Sequence, residues 1–213
     1  MYLGGNINII KGASRDMAGC IDVIGAGNIQ PWNPGCDNIV YAIALSGDNI
    51  YLGGDFGIVK STTRHKIACV NTGSILQPFI AEPSSTVRSL LVNSYGVYFG
   101  GDFTSTKSIR NHTACVDIGS NLLPWNPDCT GDVNTIALSA TNIYLGGGFT
   151  TINGISRNYA ACVDVNNNLQ LWNPNSSNAV NVIALSGSNI YFGGNFIAVG
   201  GISRGGAACV SMC

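Results

Sequence analysis

The chain has 213 residues, enough to bury a substantial core as one large all-β domain or two small ones. Charged residues make up only 10% of it, against about 25% in ordinary soluble domains, and ten basic against eleven acidic residues leave a net charge of -1. Because the sequence has no run of like charge, no apolar stretch of about 18 residues and no secretion-signal pattern, we expect no nucleic-acid partner and no membrane insertion.

A repeat starts at the second residue and runs through the chain. A Tyr-Leu/Phe-Gly-Gly segment recurs at intervals of 49, 47, 46 and 47 residues, with its tyrosine at Tyr2, Tyr51, Tyr98, Tyr144 and Tyr191. Self-similarity at a period of about 47 residues indicates a repeat architecture. We place the units at about 1-37, 38-84, 85-130, 131-177 and 178-213, within a single domain that covers 1-213.

Each unit carries four short β-type runs, which we call strands A to D, and no helical period appears. Residues 180–185 are almost wholly apolar, which predicts an inner strand A covered on both faces. Strand B follows at 190–192 and ends at a Gly-Gly pair, which we interpret as a tight turn with positive φ. Four strands per unit predict an all-β fold, a β-propeller with four-stranded blades.

Strand C is marked by cysteines that keep phase with the tyrosines. They are Cys20, Cys69, Cys115, Cys162 and Cys209. Equivalent positions on adjacent blades lie farther apart than the roughly 7 Å that a disulfide allows between Cα atoms. We therefore interpret these cysteines as small buried hydrophobic residues.

An arginine precedes every one of these cysteines by five residues. The series is Arg15, Arg64, Arg110, Arg157 and Arg204. A guanidinium group supplies five fixed donors, so it suits a structural role that ties strand C to turn carbonyls or to an aspartate of a neighbouring blade. The alternative is a ring of anion-binding arginines on one face of the protein.

Strand D is predicted to carry the tryptophan of a Pro/Leu-Trp-Asn-Pro segment. The tryptophans are Trp32, Trp125 and Trp172, and Phe79 takes the same place in the second unit. Proline cannot donate to a ladder, so strand D belongs at an outer edge. The stretch from Phe79 to Arg88 departs most from the repeat, and we expect any special contact there.

Three further cysteines are candidates for thiols that pair between chains. Cys36 and Cys129 occupy one repeat position, four residues after a tryptophan, and Cys213 is the last residue. No Cys-x-x-Cys pair occurs, and the Gly-Gly segments are followed by at most one carboxylate per unit. We therefore expect no metal site and no cofactor.

The sequence contains four and a half repeats, because the first unit lacks strand A and the last lacks strand D. Two arrangements remain open: a small toroid of four or five blades with the two partial units side by side, or an arc of a larger propeller. Incomplete blades leave open strand edges, and open edges recruit strands from other chains. Self-association is therefore expected.

Several motifs resemble the delta-60-type β-propeller repeats of bacteria. They are Gly-Gly-Asp-Phe at 53–56 and 100–103, Ile-Ser-Arg-Asn at 155–158, Ala-Cys-Val-Asp at 161–164, and Trp-Asn-Pro. The resemblance covers essentially the whole chain and implies a modular scaffold of a secreted or cell-surface protein. Cysteine at the small-residue position of strand C departs from the usual pattern of that family.

The sequence predicts a non-enzymatic structural or interaction scaffold, extracellular or at the cell surface, whose partner is protein, including further copies of itself. A carbohydrate- or peptide-binding propeller is the alternative, with exposed aromatic and asparagine side chains as the contacts. A propeller hydrolase or lyase is disfavoured, because charged residues are scarce and only two histidines, His65 and His112, offer acid–base chemistry.

Overall fold

The computed structural model describes residues 1–212, and all the regular structure in them is β. The strands, in chain order, are β1 (Tyr2–Gly4), β2 (Ile9–Ile10), β3 (Ala13–Ser14), β4 (Ala18–Ile21), β5 (Ile29–Gln30), β6 (Val40–Ser46), β7 (Asn49–Gly54), β8 (Ile58–Val59), β9 (Thr62–Thr63), β10 (Ile67–Asn71), β11 (Val87–Val92), β12 (Val97–Gly101), β13 (Ser105–Thr106), β14 (Ser108–Ile109), β15 (Thr113–Val116), β16 (Val133–Ser139), β17 (Asn142–Gly147), β18 (Thr151–Ile152), β19 (Ile155–Ser156), β20 (Ala160–Asp164), β21 (Val180–Ser186), β22 (Asn189–Gly194), β23 (Ala198–Val199), β24 (Ile202–Ser203) and β25 (Ala207–Ser211). The predicted all-β class is confirmed, and no helix among residues 1–212 is available to cross a membrane.

Each predicted unit forms one antiparallel three-stranded sheet. The sheets are β1-β4-β5, β6-β7-β10, β11-β12-β15, β16-β17-β20 and β21-β22-β25. A small hairpin separates strands B and C in every unit: β2-β3, β8-β9, β13-β14, β18-β19 and β23-β24. Strands A, B and C of the last four units therefore pair in the predicted order.

Strand D is shorter than predicted and stops before the tryptophan. Its pairing with strand C consists of β5 in the first unit and of single bridges at Leu76, Leu122 and Leu169 in the next three. The tryptophan that follows lies outside any strand. Pro31 and Pro124 directly precede two of the tryptophans, and a proline has no N–H with which to continue the ladder.

Successive sheets pack face to face along the chain. We call the side of a sheet that meets the following unit its forward face, and the side that meets the preceding unit its backward face. In the second unit Tyr51 points forward into a cluster with Val87 and Phe99, whereas Ile50 points backward into a cluster with Trp32. One such apolar cluster lies between each pair of successive sheets.

The Gly-Gly pairs of the second to fifth units lie in extended strand B, so the predicted tight turn with positive φ is wrong for these four units. Glycine is required at these positions because the backbone and side chains around them are closely packed. A Cβ on Gly146 would lie 2.7 Å from the side chain of Val180, the first residue of the next strand A. A Cβ on Gly147 would overlap the carbonyl oxygen of Asp132, just before strand A of its own unit. Glycine is needed because neighbouring backbone and valine occupy the space of a side chain.

Candidate functional site

The arginine series forms a clamp inside each unit. In four units the Nη2 atom donates to the carbonyl oxygen at the end of strand D. The pairs are Arg15 with Gln30 at 2.7 Å, Arg64 with Gln77 at 3.5 Å, Arg110 with Leu123 at 3.4 Å, and Arg157 with Gln170 at 3.0 Å. Nη1 of every arginine in the series donates to the carbonyl oxygen of the preceding residue. The structure therefore ties these guanidinium groups to backbone carbonyls and pairs none of them with an aspartate among residues 1–212.

Each tryptophan joins its own unit to the following one. The Trp125 ring meets the strand B tyrosine Tyr98 edge-on, with ring centroids 5.0 Å apart. Its indole N–H donates across the boundary to the carbonyl oxygen of Asp164, at the end of the next strand C, at 3.1 Å. Trp32 and Trp172 make the same two contacts. Phe79 keeps the ring contact and has no N–H to donate.

A second link between units uses a side-chain oxygen five residues after the tryptophan position. We call these side chains latch residues; they are Asp37, Ser84, Thr130 and Ser177. Ser177 Oγ accepts hydrogen bonds from the backbone N–H groups of Ile197 and Ala198 in the next hairpin, both at 3.0 Å. The other three accept an equivalent pair. Sequence reasoning missed these links, because the partner is backbone and the three residue types share only an acceptor oxygen.

The forward face of the fifth sheet is uncovered. Tyr191 is 45% exposed there, whereas three of its equivalents, Tyr51, Tyr98 and Tyr144, are 2%, 2% and 1% exposed and the fourth, Tyr2, is half-buried. Val182 is 55% exposed, so the prediction of a strand A covered on both faces is wrong for this unit. Cys209 is the one exposed thiol among the strand C cysteines, and Gly193 has no valine of a following unit against it. At the other end of the chain, Leu3 and Ile21 on the backward face of the first sheet are half-buried.

A pocket lies where the four strands A come together. A register shift, a β-bulge, falls at the second residue of every strand A. These residues are Tyr41, Arg88, Asn134 and Asn181, and together they line a cavity of about 350 Å³. Bulges re-aim a side chain and are frequent beside functional sites. We call this cavity the A-strand pocket. The residue before the bulge is valine in all four units, whereas the bulge residue is Tyr, Arg or Asn.

Comparisons with known proteins give a fold likeness and no family. No protein-family model matches the chain, and no curated protein matches it either. The chain is similar to the computationally designed Ika4 protein at a TM-score of 0.56 and 14% identity, over 82% of this chain and 91% of that one. It is also similar to the computationally designed Ika8 protein at a TM-score of 0.49 and 14% identity, over 80% of this chain and 60% of that one. The Ika4 likeness supports an all-β repeat fold.

Arg88 gives the A-strand pocket a fixed and neutralised cation. Its Nε and Nη2 atoms donate to the two carboxylate oxygens of Asp102, at 2.5 and 2.6 Å. Its Cζ atom lies 6.0 Å from the centre of the Tyr41 ring, within cation–π range. The hydrogen bond with Asp102 raises the pKa of Arg88, so the guanidinium stays charged and cannot serve as a base.

The rest of the pocket wall is made of amides. Asn134 Nδ2 donates to Asn181 Oδ1 at 3.3 Å, and Asn181 Nδ2 donates to Asn195 Oδ1 at 3.2 Å. The lining therefore offers donors, acceptors and one aromatic ring with no uncompensated charge. This combination of donors, acceptors and an aromatic ring is suited to binding a polar ligand.

Two of the three candidates for thiols that pair between chains, Cys36 and Cys129, are buried in the structure and so are not accessible to another chain. Each bridges to the hairpin of the next unit, Cys36 to Val59 and Cys129 to Ile152. Burial raises the pKa of each thiol to about 12, so the thiolate that disulfide exchange requires is scarce near neutral pH. Cys213, the third candidate, lies outside the described residues.

The histidines and carboxylates do not assemble a metal centre in the part of the chain that the structure describes. No group of three His, Cys, Asp or Glu side chains there could hold a metal ion. His112 Nδ1 lies 3.1 Å from the carbonyl oxygen of Gly101 and 3.4 Å from the carboxylate of Asp132. These contacts hold the turn before strand C against strand A of the next unit.

Proposed function

We propose that the chain is a non-enzymatic structural scaffold, a β-propeller arc that docks a second copy head to tail on its uncovered forward face. One observation supports this function above all. The forward faces of the first four sheets are each covered by the following unit, whereas the fifth, built from the same residue types, is open at Tyr191 and Val182.

A second copy fits because the backward face of the first sheet, with Leu3 and Ile21 half-buried, belongs to no apolar cluster between units and can match the uncovered forward face of the fifth. Contact between them would continue the joint that already recurs four times within the chain. Strands β21 and β22 contain no charged residue that would oppose association. Such a head-to-tail contact forms a ring if the rotation closes and a filament if it does not.

The four-stranded propeller blade is the fold in this proposal. Support comes from the order of the strands in each unit and from the strands A, of which β6, β11, β16 and β21 are neighbours in that order. The delta-60-type motifs support placing the scaffold outside the cell or at its surface. The scarcity of charge suits a module whose faces are covered by copies of itself.

Tyr191→Glu is expected to abolish association. The native chain should rise above the monomer mass as its concentration increases from about 1 to about 100 μM, the range of a modest protein–protein affinity. The variant should stay monomeric, because docking would bury an unpaired carboxylate against apolar side chains. Multi-angle light scattering after size-exclusion chromatography measures both masses.

Leu171→Glu is the matched control, since Leu171 is 94% exposed and lies outside the forward face of the fifth sheet. This variant should associate like the native chain. A native chain that is monomeric throughout the range would refute the proposal and would indicate a closed or self-capped chain. Equal association of the two glutamate variants would also refute it.

We infer a second function from the A-strand pocket, the binding of a neutral carbohydrate ring. The observation that favours it is the coincidence of a bulge with a strand A position that holds Tyr, Arg, Asn and Asn in successive units, directly after a valine that is the same in all four. Ring hydroxyls pair well with the amides of Asn134 and Asn181, and the Tyr41 ring offers an apolar face. A cavity of about 350 Å³ is within the usual range for small ligands.

Side-chain amide resonances of a ¹⁵N-labelled chain test this function. Titration with the methyl pyranosides of glucose, galactose, mannose and N-acetylglucosamine should shift the Asn134 and Asn181 amide signals with at least one sugar. Asn134→Ala should weaken that binding about tenfold, the effect of one or two lost hydrogen bonds. Asn8→Ala, at an exposed site outside the pocket lining, should leave it unchanged. No shift with any of the four sugars would refute carbohydrate binding.

A further inference from the structure

The fifth sheet has an open edge as well as an open face. We infer that this edge, the outer side of β25, binds an extended strand of the chain's own D type, including one presented on another polypeptide. That strand has the pattern Ile/Leu-Gln/Leu-Pro/Leu-Trp, as in residues 29–32 and 169–172. The inference rests on the proposed scaffold function, since it names the strand that would complete the unit through which copies associate.

The backbone of β25 presents the groups that bind strand D elsewhere. In the fourth unit, the Cys162 carbonyl accepts from Gln170 N–H at 2.8 Å, and Asp164 N–H donates to the Asn168 carbonyl at 3.0 Å. Cys209 and Ser211 hold the same two positions in β25. Because alternate residues direct their backbone groups to the same side of a strand, these groups face the open edge. No strand of residues 1–212 pairs with β25 on that side.

The arginine clamp of the fifth unit is in place with one donor unused. Arg204 Nη1 donates to the Ser203 carbonyl at 2.9 Å, as its equivalents do in the other units. In those units Nη2 binds the carbonyl oxygen at the end of strand D. Arg204 Nη2 makes no such bond within the described chain. A strand on the edge of β25 would supply this carbonyl, and a bond from a charged donor is among the stronger ones.

The aromatic contact of strand D is also open in the fifth unit. Tyr144 holds the Trp172 ring edge-on, with centroids 5.2 Å apart. Tyr191 is the equivalent tyrosine, and no aromatic ring of residues 1–212 packs on it. Cys209, paired with Tyr191 across the ladder, is exposed. A tryptophan seated on Tyr191 would therefore also cover the Cys209 thiol.

The main-chain hydrogen bonds and the aromatic contact contribute differently to strand binding: the first supply affinity and the second supplies selectivity. The main-chain bonds to Cys209 and Ser211 suit any extended strand, which is the usual source of affinity when a peptide extends a sheet edge. The tryptophan site on Tyr191 selects among strands by side chain, since an aromatic ring supplies most of the buried area. The preferred occupant is thus a strand with tryptophan three residues after its paired leucine, as Trp172 follows Leu169.

The test combines the full chain with a synthetic peptide that has the sequence of residues 166–177. The protein is kept below micromolar concentration, where copies do not associate, so the result does not depend on self-assembly. Fluorescence anisotropy of the labelled peptide measures binding, and mass spectrometry measures the rate at which iodoacetamide alkylates Cys209. We expect saturable binding and an alkylation rate that falls at least about tenfold at saturation, because the tryptophan covers the thiol.

Three variants sharpen the test. A peptide with Trp172→Ala should bind at least about tenfold more weakly and should not protect Cys209. Arg204→Ala in the protein should weaken the native peptide about tenfold, because a charged donor is lost. Lys60→Gln removes a charge in the second unit and should bind the peptide like the native chain.

Equal binding of the tryptophan and alanine peptides would overturn the inference, as would an unchanged alkylation rate at a saturating peptide concentration. The two proposals fail in different ways. If the peptide does not bind but light scattering shows association that Tyr191→Glu abolishes, the scaffold function stands and the strand site is refuted. If the peptide binds and the chain stays monomeric, the strand site stands and head-to-tail docking is refuted.

Discussion

Trp125→Ala is expected to lower the free energy of unfolding by about 3–5 kcal/mol, the usual effect of removing a buried tryptophan. Trp125 is buried between two units. The substitution removes its ring contact with Tyr98 and its hydrogen bond to the Asp164 carbonyl, and it leaves a cavity at the boundary. For a chain of this length the change lowers Tm by roughly 10 °C, which thermal unfolding followed by circular dichroism measures.

Trp125→Phe is the matched control and has a precedent at Phe79 of the same chain. It keeps a ring against Tyr98 and removes the indole N–H, so it should lower the free energy of unfolding by about 1–3 kcal/mol, less than alanine does. If the alanine variant were destabilised by less than about 1 kcal/mol, the tryptophan would not be the boundary contact described here.

Gly147→Ala is expected to lower the free energy of unfolding by about 3 kcal/mol, at the upper end of the range for overpacking. A methyl group at this position would overlap the carbonyl oxygen of Asp132, which is backbone and cannot swing away. Strand B and strand A of the fourth unit would have to separate at the bulge. Urea unfolding of the native chain and of the variant measures the difference.

The adjacent glycine provides the control for this substitution. A Cβ on Gly148 would meet no atom within 4 Å, so Gly148→Ala should change the free energy of unfolding by less than about 0.5 kcal/mol. Equal destabilisation by the two alanine substitutions would indicate that glycine is required there for backbone freedom. That result would contradict the close-packing explanation.

The repeat period, the all-β class and the order of strands A to C could all be predicted, because they depend on local patterns. A Tyr-Leu/Phe-Gly-Gly segment marks strand B wherever it occurs, and a cysteine marks strand C. The end of strand D was predicted too late, at Trp32 and its equivalents. An aromatic residue between prolines has the composition of an edge strand, and only the structure shows that Trp32 contacts the following unit.

Contacts between units were the part that sequence reasoning could not supply. The latch residues bind backbone N–H groups, which have no sequence signature. Cys36 and Cys129 lie in a loop by sequence, yet each is buried because the loop bridges to the next hairpin. The sequence shows that Arg88 lies in the stretch that departs most from the repeat. The bulge that places it beside Tyr41 and the two asparagines depends on strand register. Register is a property of paired strands and is not visible in one strand alone.

The latch residues and the glycine–valine fit have a consequence for how such chains change in length. Ser177 and its equivalents accept hydrogen bonds from backbone N–H groups, which every unit has. This contact therefore does not depend on the side chains of the unit that follows. Duplication or deletion of a whole unit preserves every boundary, whereas an insertion of one or two residues in a strand A would displace both the valine and the bulge. The architecture thus allows the chain to lengthen or shorten by whole units, each of which adds or removes one bulge side chain.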